Sequence, residues 1–439
     1  MNKVIDKELL NKFKENYKAK YDGRESNMIS QVGLTDASLD REKIRKNNAV
    51  FSKLVDIASI TDQKQSGRCW MFAGLNVLKT GLIKKWKLKD FKFSQNYLYF
   101  YDKLERASQY LEDVIELGDN DLDDRLTRQV VFYAAEDGAW WTTFSRLIEK
   151  YGIVPEYAYP DTINVEATNP LIDRLEKRLK IAAKDIRNAI KEGKNDEELD
   201  VIKEAALQDV YNISAIALGI PPKRFDLYLK DKDGNVIERR NISPKEFYNE
   251  FINTPARNYV ELGNYPYPDR EEGKLYEKKY LKQRVGGKIL QYYISMDRMK
   301  ELVVKAIDDN EPVWFAADVG KDSLIRATGD TGYLLRDLIN RDLLLDIDTN
   351  MNKTEGLITR NVIPTHAMTF VGYDRATDGL KFKVENSWGA KLGKGGYLIM
   401  DEDWFDNYVF EIIVDKKYLN DEEIEGLKQD PIELMPFEE

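Results

Sequence analysis

The sequence predicts an α+β protein in which a helical half comes before a β-rich half. Helical periodicity dominates the chain as far as about Ala217. Strand-like segments then cluster towards the end: PVWFAADVG, HAMTFVGYD, LKFKVENSW and GGYLIMD. Helices first and strands last is the order expected of segregated halves rather than of alternating βαβ units. With 439 residues, the chain is expected to form more than one structural unit.

The N-terminal unit, 1–60, is predicted to hold one amphipathic helix, about Lys7–Lys20, and then an extended polar arm. The second unit, 61–165, is the helical half. Within TDQKQSGRCWMFAGLNVLKTGLIKKW, apolar residues recur at i, i+4, i+7 and i+11, which is one helical face. Ser66 and Gly67 are turn and cap residues, so they place Cys69 in the first turn of this helix. Two more helices are predicted, in SQNYLYFYDKLERASQYL and in AWWTTFSRLIEKYG.

The third unit, 166–285, is predicted to be a helical and hairpin insertion. Asn169 is a plausible N-cap and Pro170 a first helical residue for a long charged helix that runs to about Ala217. The segment FDLYLKDKDGNVIERR is typical of a hairpin, with its turn at Asp233-Gly234. The β-rich half follows at 286–420, beginning with a helix over about 297–307, and a C-terminal tail occupies 421–439.

Composition indicates an acidic globular protein, with 42% hydrophobic residues, 33% charged residues and a net charge of −10. This charge argues against a general electrostatic grip on nucleic acid, so a nucleic-acid partner is not expected. No apolar run approaches the roughly 20 residues of a membrane span. The N-terminus lacks the apolar core of a secretion signal, and a cytoplasmic location is therefore expected.

The chain has one cysteine, Cys69, and one histidine, His366. No intrachain disulfide can form, which fits a reducing compartment. Any mechanism that needs a thiol must use Cys69, and any mechanism that needs an imidazole must use His366. Few sequences narrow the choice of catalytic groups so far.

Cys69 is placed to act as a nucleophile, because a helix N-terminus and a neighbouring imidazolium both stabilise a thiolate. A buried free cysteine is nevertheless more often a small hydrophobic residue than a catalyst. Gln63, six residues earlier, strengthens the case. Its carboxamide can donate to the oxyanion of a tetrahedral intermediate together with the backbone N–H of the cysteine. Alone, Gln63 would be an ordinary loop residue.

His366 begins one predicted strand and Asn386 ends the next. If these strands pair, the Asn386 carboxamide can hold one imidazole nitrogen and direct the other towards Cys69. Trp388 can cover that hydrogen bond from water. A purely structural role, such as a strand-end asparagine beside a core tryptophan, would explain either the His366 motif or the Asn386 motif alone. It explains poorly why the four residues occur together in the order Gln, Cys, His, Asn.

QKQSGRCW, THAMTFVGYD and VENSWG resemble the active-site segments of papain-like cysteine peptidases. Further segments, among them EKYGIVPE, VWFAADVGK, MNKTEGL and QDPIEL, are similar to the bleomycin hydrolase/aminopeptidase C branch over nearly the whole chain. The resemblance implies a papain-like fold, a peptide substrate and no metal or cofactor. It also implies that Gln63 is the oxyanion donor, Cys69 the nucleophile, His366 the base and Asn386 its orienting residue.

The same resemblance implies a homohexamer, with the insertion as the oligomerisation element. For substrate binding it points to Gly138 and Ala139 in EDGAWW, to Trp70 and Trp388 beside the catalytic residues, and to Glu439 in the tail. Members of the branch carry paired glycines where this chain has Gly138 and Ala139. Their chains also continue further, and the final carboxylate receives the substrate amine.

Two alternatives to an aminopeptidase remain open at this stage. Because this sequence ends about six residues earlier than such relatives, the cleft would stay open in an endopeptidase or oligopeptidase of the same family. A catalytically idle binding protein on the same scaffold is the alternative of another class. The intact set of Gln, Cys, His and Asn and the acidic composition count against it.

Overall fold

The computed structural model describes residues 4–57, 59–327, 329–376 and 379–438. The helices are α1 (Lys7–Lys20), α2 (Arg24–Val32), α3 (Leu34–Ala37), α4 (Arg41–Lys46), α5 (Cys69–Trp86), α6 (Gln95–Glu116), α7 (Arg125–Phe132), α8 (Trp141–Tyr151), α9 (Ile163–Glu166), α10 (Asn169–Lys191), α11 (Asp196–Leu218), α12 (Pro244–Phe251), α13 (Met296–Asp308), α14 (Arg341–Leu345), α15 (Lys353–Ile358), α16 (Glu402–Tyr408) and α17 (Asp421–Gly426). None of these helices is long and apolar enough to cross a membrane.

The strands are β1 (Lys53–Leu54), β2 (Phe225–Lys230), β3 (Val236–Ile242), β4 (Tyr259–Gly263), β5 (Leu275–Lys278), β6 (Ile289–Tyr293), β7 (Val313–Ala317), β8 (Ser323–Leu324), β9 (Tyr333–Leu334), β10 (His366–Ala376), β11 (Gly379–Glu385), β12 (Tyr397–Asp401), β13 (Val409–Asp415) and β14 (Ile432–Leu434). The β2 and β3 strands form a separate hairpin. The other strands form one twelve-stranded sheet within the described residues, in the order β14-β5-β6-β4-β13-β7-β10-β11-β12-β9-β8, with β1 paired to β10.

The two faces of this sheet belong to different cores. Trp314, Ala316 and Ala367 pack with the helical half on one face, whereas Phe315 and Met368 pack with α13 and α16 on the other. Side chains that are neighbours along a strand point to opposite faces, so each short strand serves both cores. The sheet therefore joins the helical half to the β-rich half.

The central helix α5 fixes the position of Cys69. The apolar residues at its predicted helical spacing are all buried, and polar side chains such as Asn76 and Lys79 are buried as well. A helix whose first three turns are enclosed cannot rotate or slide without loss of packing. The helix ends at Lys87, whose φ of +52° closes it. The indole N–H of Trp314 on β7 donates to the carbonyl of Trp70 at 3.2 Å, which ties the start of the helix to the sheet.

The N-terminal arm differs from the prediction. Instead of one helix and an extended segment, α1 is followed by three short helices, α2, α3 and α4. Gly23 and Gly33, both with positive φ, separate the first of these helices from its neighbours. Asp40 caps α4 by accepting the backbone N–H groups of Glu42 and Lys43. Local capping thus creates helices too short for apolar periodicity to reveal.

The insertion also differs from the prediction in one respect. The long helix expected up to Ala217 is two helices, α10 and α11, because Asn195 starts a new helix through a capping box with Glu198. The N-cap of α10 is Thr168, so Asn169 is already helical. The β2–β3 hairpin lies where it was predicted, and its turn uses Gly234 at a φ of +93°.

The segment around 259–278 belongs to the large sheet, although the prediction grouped it with the insertion. Its strands β4 and β5 pair with β13 and β6 respectively. Both strands are short and carry buried charged residues, such as Glu261 and Lys278, so neither shows the alternation that predicts a strand.

Candidate active site

A cavity of about 280 Å³ lies where the N-terminus of α5 meets the start of β10. It lies between the helical half and the sheet. Cys69 and His366 line it together, Gly138 and Ala139 form part of one wall, and Glu411 from β13 also faces it. The structure thus brings the lone thiol and the lone imidazole to one cavity although 297 residues separate them in the chain.

Cys69 is the first residue of α5 and is buried. Burial raises the pKa of its thiol, and the backbone N–H groups of Ala367 and Trp70 lower it by a smaller amount. This differs from the expectation that the helix N-terminus would make the thiol acidic. The physical reason is desolvation, which penalises a thiolate in an enclosed site more than nearby N–H dipoles stabilise it.

His366 and Asn386 are joined as the sequence suggested. Strands β10 and β11 pair antiparallel, and His366 Nε2 lies 2.9 Å from Asn386 Oδ1. The same oxygen accepts the backbone N–H of Ser387 at 2.8 Å, which fixes the orientation of the carboxamide. Because Asn386 Oδ1 can only accept a hydrogen bond, the ring proton is assigned to Nε2. Nδ1 of the neutral ring is then able to accept a proton.

The imidazole is as strongly desolvated as the thiol. Burial lowers the pKa of His366 to about 4, while the hydrogen bond to Asn386 raises it. Each group in its own surroundings therefore favours the neutral form. An imidazolium–thiolate pair gains stability here only from the attraction between the two charges, which a low dielectric strengthens.

Gln63 connects the two halves of the site. Its backbone N–H donates to the carbonyl of Ser387 at 2.7 Å, and its side-chain Oε1 accepts from the Ser387 hydroxyl at 2.6 Å. Its Nε2 donates to the carbonyl of Ser66 at 2.5 Å. Ser387 follows directly on Asn386, so one short segment orients both the histidine and the glutamine. Ser387 was not among the predicted site residues.

The wall opposite the sheet is held by a buried polar network. Gly138 has a φ of +84°, and its carbonyl accepts from the Arg106 guanidinium at 2.5 Å. The neighbouring Asp137 accepts from Lys103 at 2.7 Å and from the backbone N–H of Gly67 at 3.1 Å. This network fixes the Gly138–Ala139 edge relative to the loop that precedes Cys69.

The other predicted substrate-binding residues have different positions. Trp388 lies beside the imidazole, with 4.7 Å between ring centroids, which fits a shield over the His366–Asn386 hydrogen bond. Trp70 is only 2% exposed and is not among the residues that line the cavity. The prediction that Trp70 contacts the substrate is therefore wrong. Its side chain is part of the helical core because it follows Cys69 into the buried helix. Glu439 lies outside the described residues.

Glu411 closes one end of the cavity next to two other buried charged residues, and none of the three was predicted. Glu411 on β13 and Glu261 on β4 are 1% and 4% exposed. Lys278 on β5 lies 3.5 Å from Glu411 Oε1, and Gln283 lines the cavity nearby. These residues come from separate strands and a turn and form no local motif.

Comparisons with known proteins agree with this site. A family model described as the Peptidase C1-like family matches residues 4–439. Aminopeptidase C of Lactobacillus helveticus is 36% identical over 419 residues, which cover 94% of this chain and 92% of that protein. Aminopeptidase G of Lactobacillus delbrueckii subsp. lactis is 38% identical over 411 residues, with 93% and 92% covered.

Among solved structures, PepW from Lactobacillus rhamnosis HN001 superposes with a TM-score of 0.96 at 32% identity, over 100% of this chain and 99% of that one. These matches confirm the predicted papain-like α+β fold and the predicted resemblance to the aminopeptidase C branch. The prediction of a cysteine peptidase is confirmed with them.

Proposed function

The chain belongs to the Peptidase C1-like family, and from its site we propose that it hydrolyses peptides with Cys69 as nucleophile, His366 as base and acid, and Asn386 as the residue that orients the histidine. The observation that carries this assignment is the 2.9 Å hydrogen bond between His366 and Asn386 in the cavity that Cys69 also lines. It leaves one ring nitrogen for the thiol, as nucleophilic catalysis requires.

Hydrolysis proceeds through a thioester. The Cys69 sulfur attacks the carbonyl carbon of the substrate while its proton passes to His366 Nδ1. The oxyanion accepts hydrogen bonds from the backbone N–H of Cys69 and from Gln63 Nε2, whose second hydrogen is not used by Ser66. His366 then protonates the departing amine, takes a proton from water, and the resulting hydroxide releases the acid and restores the thiol.

The substrate class follows from the relatives. Proteins named aminopeptidase C and aminopeptidase G match nearly the whole chain, so the reaction we assign is removal of residues from the N-terminus of short peptides. Mass spectrometry of the products from one peptide, with its N-terminus either free or acetylated, tests this. An aminopeptidase releases amino acids from the free peptide alone. Internal fragments from the acetylated peptide would instead assign an oligopeptidase.

Oligomerisation through the N-terminal helix and the insertion is part of the same proposal. The apolar residues Leu10 and Phe13 of α1 are half exposed, and Ile216 and Ile220 near the end of α11 are 87% and 70% exposed. Exposed apolar surface of this kind is typical of interfaces. We expect light scattering to give about six times the chain mass of 51.0 kDa. A monomer would contradict the hexamer.

A cytoplasmic location completes the proposal. The nucleophile is the one cysteine of the chain, and it acts only while it stays reduced. Cell fractionation, with the protein detected by antibody, tests the location. Recovery outside the cytoplasmic fraction would contradict it.

A further inference from the structure

We propose that Glu385 is a positioning residue for the reaction: it ties the helix that carries Cys69 to the strand that leads to Asn386. Glu385 is not among the residues that line the active-site cavity, and it acts through Asn76 on α5. The inference rests on the proposed peptidase function and adds to it a residue that sets the relative positions of the catalytic groups.

Glu385 lies on the two strands that hold the catalytic histidine and asparagine. It is the last residue of β11, so Asn386 follows it directly, and it is only 2% exposed. Its register partner on β10 is Thr369, three residues after His366. The carboxyl group is therefore fixed to the same strand pair as the His366–Asn386 hydrogen bond, but it lies behind the cavity.

The side chain of Glu385 contacts the helix that begins at Cys69. Asn76 Nδ2 on α5 donates to Glu385 Oε1 at 3.1 Å, and both side chains are buried. Asn76 comes seven residues after Cys69, which is two helical turns, so the two residues lie on the same side of α5. This hydrogen bond therefore restrains both the rotation of the helix and its distance from β11.

The same contacts hold the segment that supplies the oxyanion donor. Asn76 Nδ2 also donates to Thr61 Oγ1 at 3.3 Å, and Lys79 Nζ donates to the carbonyl of Ser59 at 2.9 Å. Lys79 lies one turn after Asn76 on the same helix. The elements that carry the nucleophile, the oxyanion donor and the orienting residue thus meet at one buried polar cluster behind the site.

The surroundings of Glu385 favour a carboxylate at this position. Burial raises the pKa of Glu385 to about 7, while the charges of Lys79 and Lys383 act in the opposite direction. Thr369 is 1% exposed, and its hydroxyl has no partner among the described residues. Two ammonium groups, a hydroxyl and the Asn76 carboxamide are all donors, and a carboxylate offers two acceptor oxygens to them.

Position explains this buried acid better than stability does. Replacing buried ionic groups by apolar side chains of similar volume is often neutral or stabilising, so a buried carboxylate is a poor means of stabilising a fold. A displacement of about 1 Å at reacting groups, in contrast, can lower a rate about 100-fold. A contact that restrains α5 two turns from Cys69 can therefore matter more for turnover than for unfolding.

Steady-state kinetics on short peptides tests the role. Glu385→Ala should lower kcat about 10- to 100-fold and change KM by less than about twofold, because the cavity wall keeps its residues. Glu385→Gln should recover most of the loss, since its carbonyl oxygen can still accept from Asn76. Asn76→Ala should lower kcat as Glu385→Ala does. The double variant should be no slower than the slower single variant, because both changes remove one contact.

The alkylation rate of Cys69 measures the same geometry without a peptide. Iodoacetamide reacts with the thiolate, which forms when His366 takes the thiol proton. The rate at pH 7 should fall in Glu385→Ala and recover in Glu385→Gln. Equal alkylation rates and equal kcat in wild type and Glu385→Ala would overturn the proposal. A wild-type protein that hydrolyses no peptide would contradict the peptidase function instead, and the alkylation rates would still decide the role of Glu385.

A matched control separates position from stability. Glu277 is a buried glutamate on β5 of the same sheet, where it pairs with Lys288 at 2.7 Å, and the strands beside β5 are β14 and β6. Glu277→Ala should lower the midpoint of urea unfolding without changing kcat or the alkylation rate of the folded protein. If Glu385→Ala does not fold, Asn76→Ala carries the test. Losses that follow only the unfolded fraction, as in Glu277→Ala, would make Glu385 structural and overturn the proposal.

Discussion

The two ends of the active-site cavity are built in different ways. At the chemical end, Cys69, His366 and Asn386 each lie in a short segment whose neighbours also serve the site. At the acidic end, Glu411, Glu261 and Lys278 come from three strands and meet only through the order of the sheet. Reactive groups can thus be marked by local sequence, whereas the buried charged residues at the other end are brought together by the order of the strands.

The largest expected effect tests the chemical end alone. Cys69→Ala should lower kcat by about 10⁴-fold or more, because no other thiol can form the thioester. The same variant should keep its affinity for peptides, since the rest of the cavity is unchanged. Peptide hydrolysis and calorimetry on one preparation measure both. Near-normal turnover by Cys69→Ala would end the cysteine-peptidase mechanism for this chain.

Alkylation gives an independent form of this test, because Cys69 is the one cysteine of the chain. A single iodoacetamide adduct should abolish hydrolysis, and mass spectrometry should locate it at Cys69. Activity that survives complete modification would mean that another group attacks the substrate.

A smaller effect is expected at the residue that orients the histidine. Asn386→Ala should lower kcat by about 10- to 100-fold, because a misdirected imidazole transfers protons poorly but is still present. The pH profile should change as well. Activity rises with pH as His366 loses its proton, at a pKa of about 4, and the Asn386 hydrogen bond raises that pKa. Its removal should therefore move the acid limb to lower pH.

The wild-type profile should be bell-shaped, and its alkaline limb should mark loss of the last proton from the Cys69–His366 pair. A shift of the acid limb to higher pH in Asn386→Ala would contradict the assigned geometry.

The smallest expected effect concerns stability and belongs to the acidic end. The pKa of Glu261 is about 7 in the folded protein, whereas the ordinary value of 4.5 applies to the unfolded chain. Between these two pH values the folded chain therefore holds a proton that the unfolded chain has released. Stability should therefore fall as pH rises from 4.5 to 7, by up to about 3 kcal/mol from this group. Glu261→Gln should remove that part of the fall. Urea unfolding at pH 5 and pH 8 measures it for both proteins.

Other groups do not obscure this difference. Glu385 also has a raised pKa, of about 7, and His366 a lowered one, but both remain in the Glu261→Gln variant. The difference between the two proteins thus reports Glu261. An identical pH dependence in wild type and variant would show that the acidic end is not charged as the structure indicates.

The site residues that could be predicted from sequence lie in short local motifs or are the only residues of their type. The lone Cys69 and His366 left no choice of thiol or imidazole, and β10 and β11 pair as needed for His366 to meet Asn386. Ser387 was missed although it adjoins Asn386, because its role depends on Gln63 approaching from the other half. Trp70 was misplaced because adjacency to the nucleophile says nothing about the side of the helix on which a side chain lies.

The fold was predictable where apolar periodicity is long. The helix that begins at Cys69 and the hairpin that turns at Gly234 both lie where the pattern put them. The break between α10 and α11 was missed because a capping box at Asn195 outweighs a continuous helical pattern. Strands β4 and β5 were missed because charged residues occupy some of their buried positions, which removes the alternation that predicts a strand. Burial of these charges depends on partners that only the folded structure brings close.

The positions of the catalytic residues along the chain also determine when peptidase activity can first appear during synthesis. The thiol is synthesised early, at residue 69, but the imidazole comes 297 residues later, and β13, which completes the centre of the sheet, spans Val409–Asp415. A nascent chain on the ribosome therefore carries a harmless cysteine until almost its whole length has emerged. The catalytic groups of one chain thus come together only when nearly all of that chain has been synthesised.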